Sequence, residues 1–278
     1  MNKIKYMAIG VAMTAGVVLI YNNRDVFKNL TGSNKNGGIV NKINPEFASY
    51  ISAFTTGYIS TGSTIKIKLS SEFASTTQLN TPLKEGYFSF DPSIEGETVW
   101  KDGQTMEFKP TERLKPGQIY KATFHLSKLV EVKKELEEFE FQFQAIQQSA
   151  QLQVNDLKSY NSNDFDLYSL SGNISTADFA DNSLVEKSLN ARLDSKNMNV
   201  KWVHNEKGTL HKFVIDSIER PGSSSGKLSL NCDAKELGIT YTAKQSFEVP
   251  AKGELVLLST KIISVEADPY VLVNFSNP

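Results

Sequence analysis

From Ile43 onward, apolar and polar residues alternate in short runs, and turn residues separate the runs. Ile65-Lys66-Ile67-Lys68-Leu69 alternates strictly, which is the period of a strand with one dry and one wet face. Tyr87-Phe88-Ser89-Phe90 repeats the device and ends at Asp91-Pro92. Thr98-Val99-Trp100 runs into Lys101-Asp102-Gly103, a hairpin signal, and Thr105-Met106-Glu107-Phe108 returns to stop at Pro110. Leu114-Lys115-Pro116-Gly117 places Pro and Gly where the second and third positions of a type II turn want them. Strands are predicted at Ile119 to Leu126 and at Phe139 to Gln144, the latter with Phe139, Phe141 and Phe143 on one face. Short strands at roughly ten-residue spacing, with turns between them, describe an antiparallel sandwich over residues 44–148.

A second set of strands is predicted over residues 149–250: Gln151 to Val154, Asp166 to Ser175, Leu189 to Leu193, Val200 to Val203, His211 to Ile215, Lys227 to Leu230 and Tyr241 to Phe247. Asp181 to Lys187 fits one helical turn or a loop, and Pro221 to Gly226 reads as an exposed loop. The last stretch echoes the start of the first domain. Ile59-Ser60, a turn, Ile65 to Leu69 and Ser70 correspond to Ile263-Ser264, Ala267-Asp268-Pro269, Tyr270 to Phe275 and Ser276. Two strands cannot bury a sheet face alone. Residues 251–278 are therefore expected to be the first strands of a third, truncated β domain.

The start of the chain follows another pattern. Lys3 and Lys5 precede an apolar run from Met7 to Tyr21, which passes into Asn22-Asn23-Arg24 without a small-x-small cleavage site. Residues 1–22 are expected to form an uncleaved signal-anchor helix that crosses a membrane through residues 7–21, with Lys3 and Lys5 left in the cytoplasm. A cleaved signal peptide is the alternative. Residues 23–43, including Thr31-Gly32-Ser33-Asn34-Lys35-Asn36-Gly37-Gly38, read as a flexible linker.

Composition narrows the function. The 278 residues allow about two domains. With 30 basic and 31 acidic residues, the chain lacks the basic face that nucleic acid requires. Cys232 is the single cysteine, so no intrachain disulfide forms, and its phase in Leu228-Ser229-Leu230-Asn231-Cys232 points inward, as a buried structural thiol. Of the three histidines, His125 is expected in a solvated strand position. His204 and His211 flank the turn Asn205-Glu206-Lys207-Gly208 and could face each other on a hairpin. No neighbouring Cys or Glu has metal-ligand spacing, so they are expected to be cross-strand surface residues.

Other chemistry has little support. There is no Gly-x-Ser-x-Gly elbow and no P-loop. Asp164-Phe165-Asp166 and Asp178 to Asp181 lack the glycine and glutamate of a calcium loop and read as turn formers. The sequons at Asn173 and Asn274 fall inside predicted strands. Trp100 and Trp202, one per domain, are expected to fill the space between sheets. The sequence thus predicts no catalytic, cofactor-binding or metal-binding residue, no cofactor and no small-molecule substrate. A hydrolase is the weakest reading.

Phe88-Ser89-Phe90-Asp91-Pro92, then Met106-Glu107-Phe108-Lys109-Pro110, then Leu114-Lys115-Pro116-Gly117-Gln118-Ile119-Tyr120 resembles a bacterial immunoglobulin-like module. Together with the membrane segment, the second β domain and the opening of a third, the chain from about Asn44 onward looks like the N-terminus of bacterial alpha-2-macroglobulin family proteins. The resemblance implies tandem immunoglobulin-like β-sandwich domains on the periplasmic side of the bacterial cell envelope. It also implies a protease trap that works by bait cleavage and a Cys-Gly/Leu-Glu-Gln thioester. Here Cys232 is followed by Asp233-Ala234-Lys235, so the thioester motif is missing, and no bait region can be assigned. The implied role is a non-catalytic scaffold whose partners are target proteases. The alternative is an independent cell-envelope or adhesin-like binding protein whose open sheet edges recruit envelope proteins.

Overall fold

The alternating runs become strands whose inward residues meet in dry cores. A computed structural model describes residues 17–19, 39, 41–75, 79–161, 164–264 and 269–276. The chain divides into two compact units, residues 1–146 and 147–278.

The first unit contains β1 (Val17–Leu19), β2 (Ile51–Thr55), β3 (Gly57–Ile59), β4 (Ile65–Leu69), β5 (Phe88–Asp91), β6 (Gly96–Trp100), β7 (Thr105–Pro110), β8 (Ile119–His125) and β9 (Glu138–Ala145). One sheet runs β1-β2-β4-β7-β6 and the other β3-β9-β8-β5. The strict alternation of β4 buries Ile65, Ile67 and Leu69, and β9 buries Phe139, Phe141 and Phe143. Phe54 stands edge-on to Phe139, ring centroids 5.1 Å apart, so the two sheets meet through their rings. Gly57, at φ +74°, lets the chain leave one sheet and pair in parallel with β9 of the other.

The turns predicted at Asp102-Gly103 and Pro116-Gly117 both form. Gln118 N donates to Lys115 O, and Gly117 sits at φ +74°, the left-handed third position of a type II turn. The β6–β7 hairpin differs in how its turn is made. Lys101 N donates to Thr105 O, and the Asp102 carboxylate accepts from Gln104 N and Thr105 N. That side chain shapes a three-residue loop, so Gly103 does not need a left-handed φ.

The signal-anchor expectation falls mostly outside the described residues. Within the apolar run, Val17–Leu19 is extended and pairs antiparallel with Ala53 to Thr55, in place of the expected helix. β-Branched Val17 and Val18 suit a strand, and the edge of β2 offers unpaired backbone groups. Among the described residues no helix is long and apolar enough to cross a membrane.

The second unit contains β10 (Ala150–Val154), β11 (Lys158–Asn161), β12 (Asp164–Thr176), α1 (Asn182–Ser188), β13 (Leu189–Leu193), β14 (Lys196–Asn197), β15 (Lys201–His204), β16 (Leu210–Glu219), β17 (Gly226–Asp233) and β18 (Thr242–Val249). A ribbon of β19 (Leu257–Ile263) and β20 (Tyr270–Phe275) follows. The main sheets run β10-β12-β16-β15, with β11 also on β12, and β14-β13-β17-β18. Of the two conformations open to Asp181 to Lys187, the chain takes the helix: the Asp181 carboxylate caps Ser183 N and Leu184 N, and Val185 and Ser188 turn inward.

Lettered in chain order from β2, the first unit reads A-B-E-D against A′-G-F-C. Lettered from β10, and leaving β11 aside, the second reads A-B-E-D against C′-C-F-G. That is the strand order of an immunoglobulin-type sandwich, met twice. The first unit also has the tyrosine corner of that fold: Lys115 N donates to the Tyr120 hydroxyl at 3.1 Å, at the start of the strand lettered F.

Candidate functional site

Most residues with chemical potential serve the fold. Cys232 is buried, and burial, with the Asp233 charge adding to it and the Ser188 contact opposing it, pushes its thiol up, away from the reactive thiolate. Trp100 lies in the first core, while Trp202 is half-buried against the second. His125 is not freely solvated: its ring nitrogens reach Ser89 Oγ at 3.2 Å and Glu138 Oε1 at 3.4 Å. Asp178 is buried, its carbonyl accepting from Thr176 Oγ1 and Gln148 Nε2. The side chains of Asp164 and Phe165 lie outside the described residues. Among the described residues no three His, Cys, Asp or Glu cluster to hold a metal.

The described residues line two cavities. One, of about 570 Å³, opens between Lys42 to Asn44 and Lys134 to Glu140. The other, of about 250 Å³, lies between Asp156, Leu157, Phe247 and the start of the ribbon. Neither is lined by a histidine, cysteine or serine.

Polar chemistry concentrates instead around His204 and His211. They are direct cross-strand partners in the β15–β16 hairpin, as the turn predicted, but His211 is not a surface residue: its exposure is 0%. His211 shares the inward phase of Phe213 and Ile215, and that alternation was the available signal. The two Nδ1 atoms are 2.8 Å apart, and His204 Nε2 lies 3.0 Å from Glu186 Oε1 on α1. Trp202 stacks nearly parallel to His204 at 5.9 Å. His211 Nε2 is sealed from solvent without a hydrogen-bond partner. Burial, then the His204 ring beside it, holds His211 below the ordinary imidazole range. The Gly208 carbonyl works against both without satisfying Nε2. Two nitrogens on one tetrahedral zinc would stand about 3.3 Å apart. The closer spacing here fits a shared proton better than a metal.

A second polar cluster closes the end of the unit. Arg220 is 3% exposed and donates to the carbonyls of Pro250, Ala251, Glu254 and Ser276. The Tyr168 hydroxyl also donates to Ser276 O at 3.1 Å, and the guanidinium lies over the Tyr168 ring. These bonds fasten both ends of the β19–β20 ribbon to the sandwich. Beyond that anchor the ribbon is bare: Ile262 is 74% exposed and Val271 58%, and Leu257, Tyr270, Leu272, Val273 and Phe275 are exposed too. Nothing in the sequence pattern marked Arg220, which falls between the predicted strand His211 to Ile215 and the predicted loop from Pro221.

The arrangement defines a protein of tandem immunoglobulin-type sandwiches. No protein-family model matches the chain, and no curated protein matches it significantly. Among solved structures it is similar to a chimeric titin Z1Z2-Z1Z2 tandem carrying a fibronectin-derived GRGDS peptide, at 12% identity and a TM-score of 0.24 over 72% of this chain and 95% of that one. It is also similar to a chimeric titin Z1Z2 carrying a decorin-derived KLER peptide, at 12% identity and a TM-score of 0.33 over 74% of this chain and 99% of that one. Overlays this loose add nothing to the strand order already described.

Proposed function

We propose that the chain is a non-catalytic scaffold, the membrane-anchored N-terminal part of a periplasmic alpha-2-macroglobulin-like protease trap. The observation that carries the scaffold reading is serial architecture. One strand order occurs twice, and a ribbon follows whose uncovered apolar faces suit the opening of a third β unit. The module-like run from Phe88 to Tyr120 supports the family assignment. Its Pro116-Gly117 turn and Tyr120 hydroxyl build one corner of the fold. Reading the gene beyond codon 278 tests the proposal. Further sandwich domains and a Cys-Gly/Leu-Glu-Gln motif are expected, and a stop codon directly after Pro278 overturns it.

The bare ribbon also favours a second reading, an envelope binding module that adds strands from a partner to its open edges. Affinity capture from cell envelopes that recovers one stable non-protease partner, lost when Ile262 and Val271 are changed to Ser, decides for this reading.

A further inference from the structure

We infer that Glu186, His204 and His211 form an acid-sensitive latch that fastens edge strand β15 and helix α1 at neutral pH and releases them in mild acid. The inference stands apart from the proposed function.

The hydrogen-bond pattern fixes where protons sit. An ionised carboxylate only accepts, so His204 Nε2 carries the proton directed at Glu186. In neutral His204 the other nitrogen, Nδ1, is then bare. Across the 2.8 Å gap, His211 Nδ1 must donate to it. That leaves His211 Nε2 as a bare lone pair in a dry site. Every position in the relay is now filled.

A further proton has one place to go. If it is added at His204 Nδ1, His211 must become the acceptor and move its own proton to Nε2. If it is added to His211 directly, it lands on Nε2 as well. Either way an N–H donor stands sealed without an acceptor, which is strongly disfavoured. The proton is accommodated only if the site opens to water.

Nε2 makes no hydrogen bond in the closed site, and the one carbonyl that favours the charged ring, Gly208 O, already accepts from Ala180 N and Thr176 Oγ1. Charged side chains on the adjoining segments are Glu186 and Lys187 on α1, Glu206 and Lys207 in the hairpin turn, Lys201 on β15, Lys212, Asp216 and Glu219 on β16, Asp166 on β12, and Lys235 and Glu236 in the helical turn packed against α1. Asp178 lies in the loop before the helix, and Asp181 caps it. Glu186 is committed to His204, Asp216 is bonded to Lys201, and Asp181 caps α1. Asp178 lies near the turn through Thr176, whose hydroxyl reaches the carbonyls of both Asp178 and Gly208.

The part that yields is also defined. β15 is the last strand of its sheet and pairs with β16 alone. Its release frees Trp202 and uncovers the hydrogen-bonding edge of β16, a template for another strand. An unfolded or opened chain protonates His211 below about pH 6.5, whereas the closed site does not. The open state therefore binds more protons, so the latch acts in full above that pH and weakens as pH falls below it.

Hydrogen exchange on the purified full chain between pH 7.5 and 5 tests this. Protection factors in β15 and α1 are expected to fall about tenfold per pH unit below about 6.5 for each excluded proton, while β4 and β9 stay protected. His211→Leu removes the proton-excluding group, and its protection is expected to be flat over the same range. Identical profiles in the wild type and His211→Leu overturn the latch. Should His211→Leu fail to fold, nitrogen-15 shifts of His211 in the wild type decide. Nε2 staying bare until protection is lost supports the latch, and protonation of Nε2 with β15 still protected overturns it.

Discussion

The first unit packs its sheets mainly with rings, whereas the second packs mainly aliphatic side chains; both bury polar groups, but among the described residues only the second seals a histidine and an arginine. Phe54, Phe139 and Phe141 stand at 5.1–5.6 Å from one another, and Phe88, Phe90 and Phe108 form a second ring cluster at 4.6–6.0 Å. The second core relies on Leu170, Ile174, Ile215, Leu228 and Leu230, then takes in Ser188, His211, Arg220 and Ser276. Both units have the same strand order. An immunoglobulin-type topology therefore needs alternation and a filled interior, and either chemistry can fill it. What differs is the response to change: a ring cluster resists by volume, and a polar interior by the completeness of its hydrogen bonds.

Substitutions can break or sharpen this contrast. The largest effect is expected at Phe141→Ala, which leaves a cavity among Phe54, Phe139 and Phe143 and destabilises the first unit by about 4 kcal/mol. Denaturant unfolding followed through Trp100 reads it, and a loss under about 1 kcal/mol would mean the ring core repacks freely. Next comes Arg220→Met. It keeps apolar bulk but strips donors from four carbonyls, a loss of about 3 kcal/mol confined to the second unit and its ribbon. Proteolysis within residues 250–276 is expected to accelerate in parallel. Tyr120→Phe removes the acceptor for Lys115 N and is expected to lower the stability of the first unit by about 1 kcal/mol.

The smallest effect is one whose pH dependence lies in acid. Burial raises the pKa of Glu107, but the hydrogen bond from Thr64 and the contact and charge of Lys66 outweigh it and hold the carboxyl below its usual range. A lowered folded-state pKa means stability that is present above the unfolded carboxyl range and lost as pH falls through it. Glu107→Gln is expected to flatten the stability curve of the first unit below about pH 4.5 and to lower its stability near pH 6, where the contribution of the ionised carboxylate is fully present. The second unit is expected to respond at the higher pH, through His211. Melting each unit across both windows separates the two responses.

Much of the fold is legible in the order of the residues. Alternation places Ile65, Ile67, Leu69 and the phenylalanines of β9 inward because successive strand side chains point to opposite faces. The Pro116-Gly117 turn follows from ring geometry and the missing Cβ, and Cys232 is buried on the phase of its strand. The candidate site is only half legible. The turn at Asn205 to Gly208 brings His204 opposite His211, and the phase shared with Phe213 and Ile215 turns His211 inward, but no local pattern gives how completely it is sealed.

The sequence by itself determined which residues share a face and where the chain turns, since both follow from local backbone geometry. Only the tertiary structure decided which faces stay dry. His211 is sealed because the rest of the second unit closes over the inward face of β16, and Glu186 reaches its partner from a helix 18 residues away in the chain. Arg220 points inward because of an irregular register near Ser217, whose φ of +56° resets the strand phase so that Ile218 and Arg220 both turn to the core. Such shifts answer to packing between distant segments, which a period of two cannot encode.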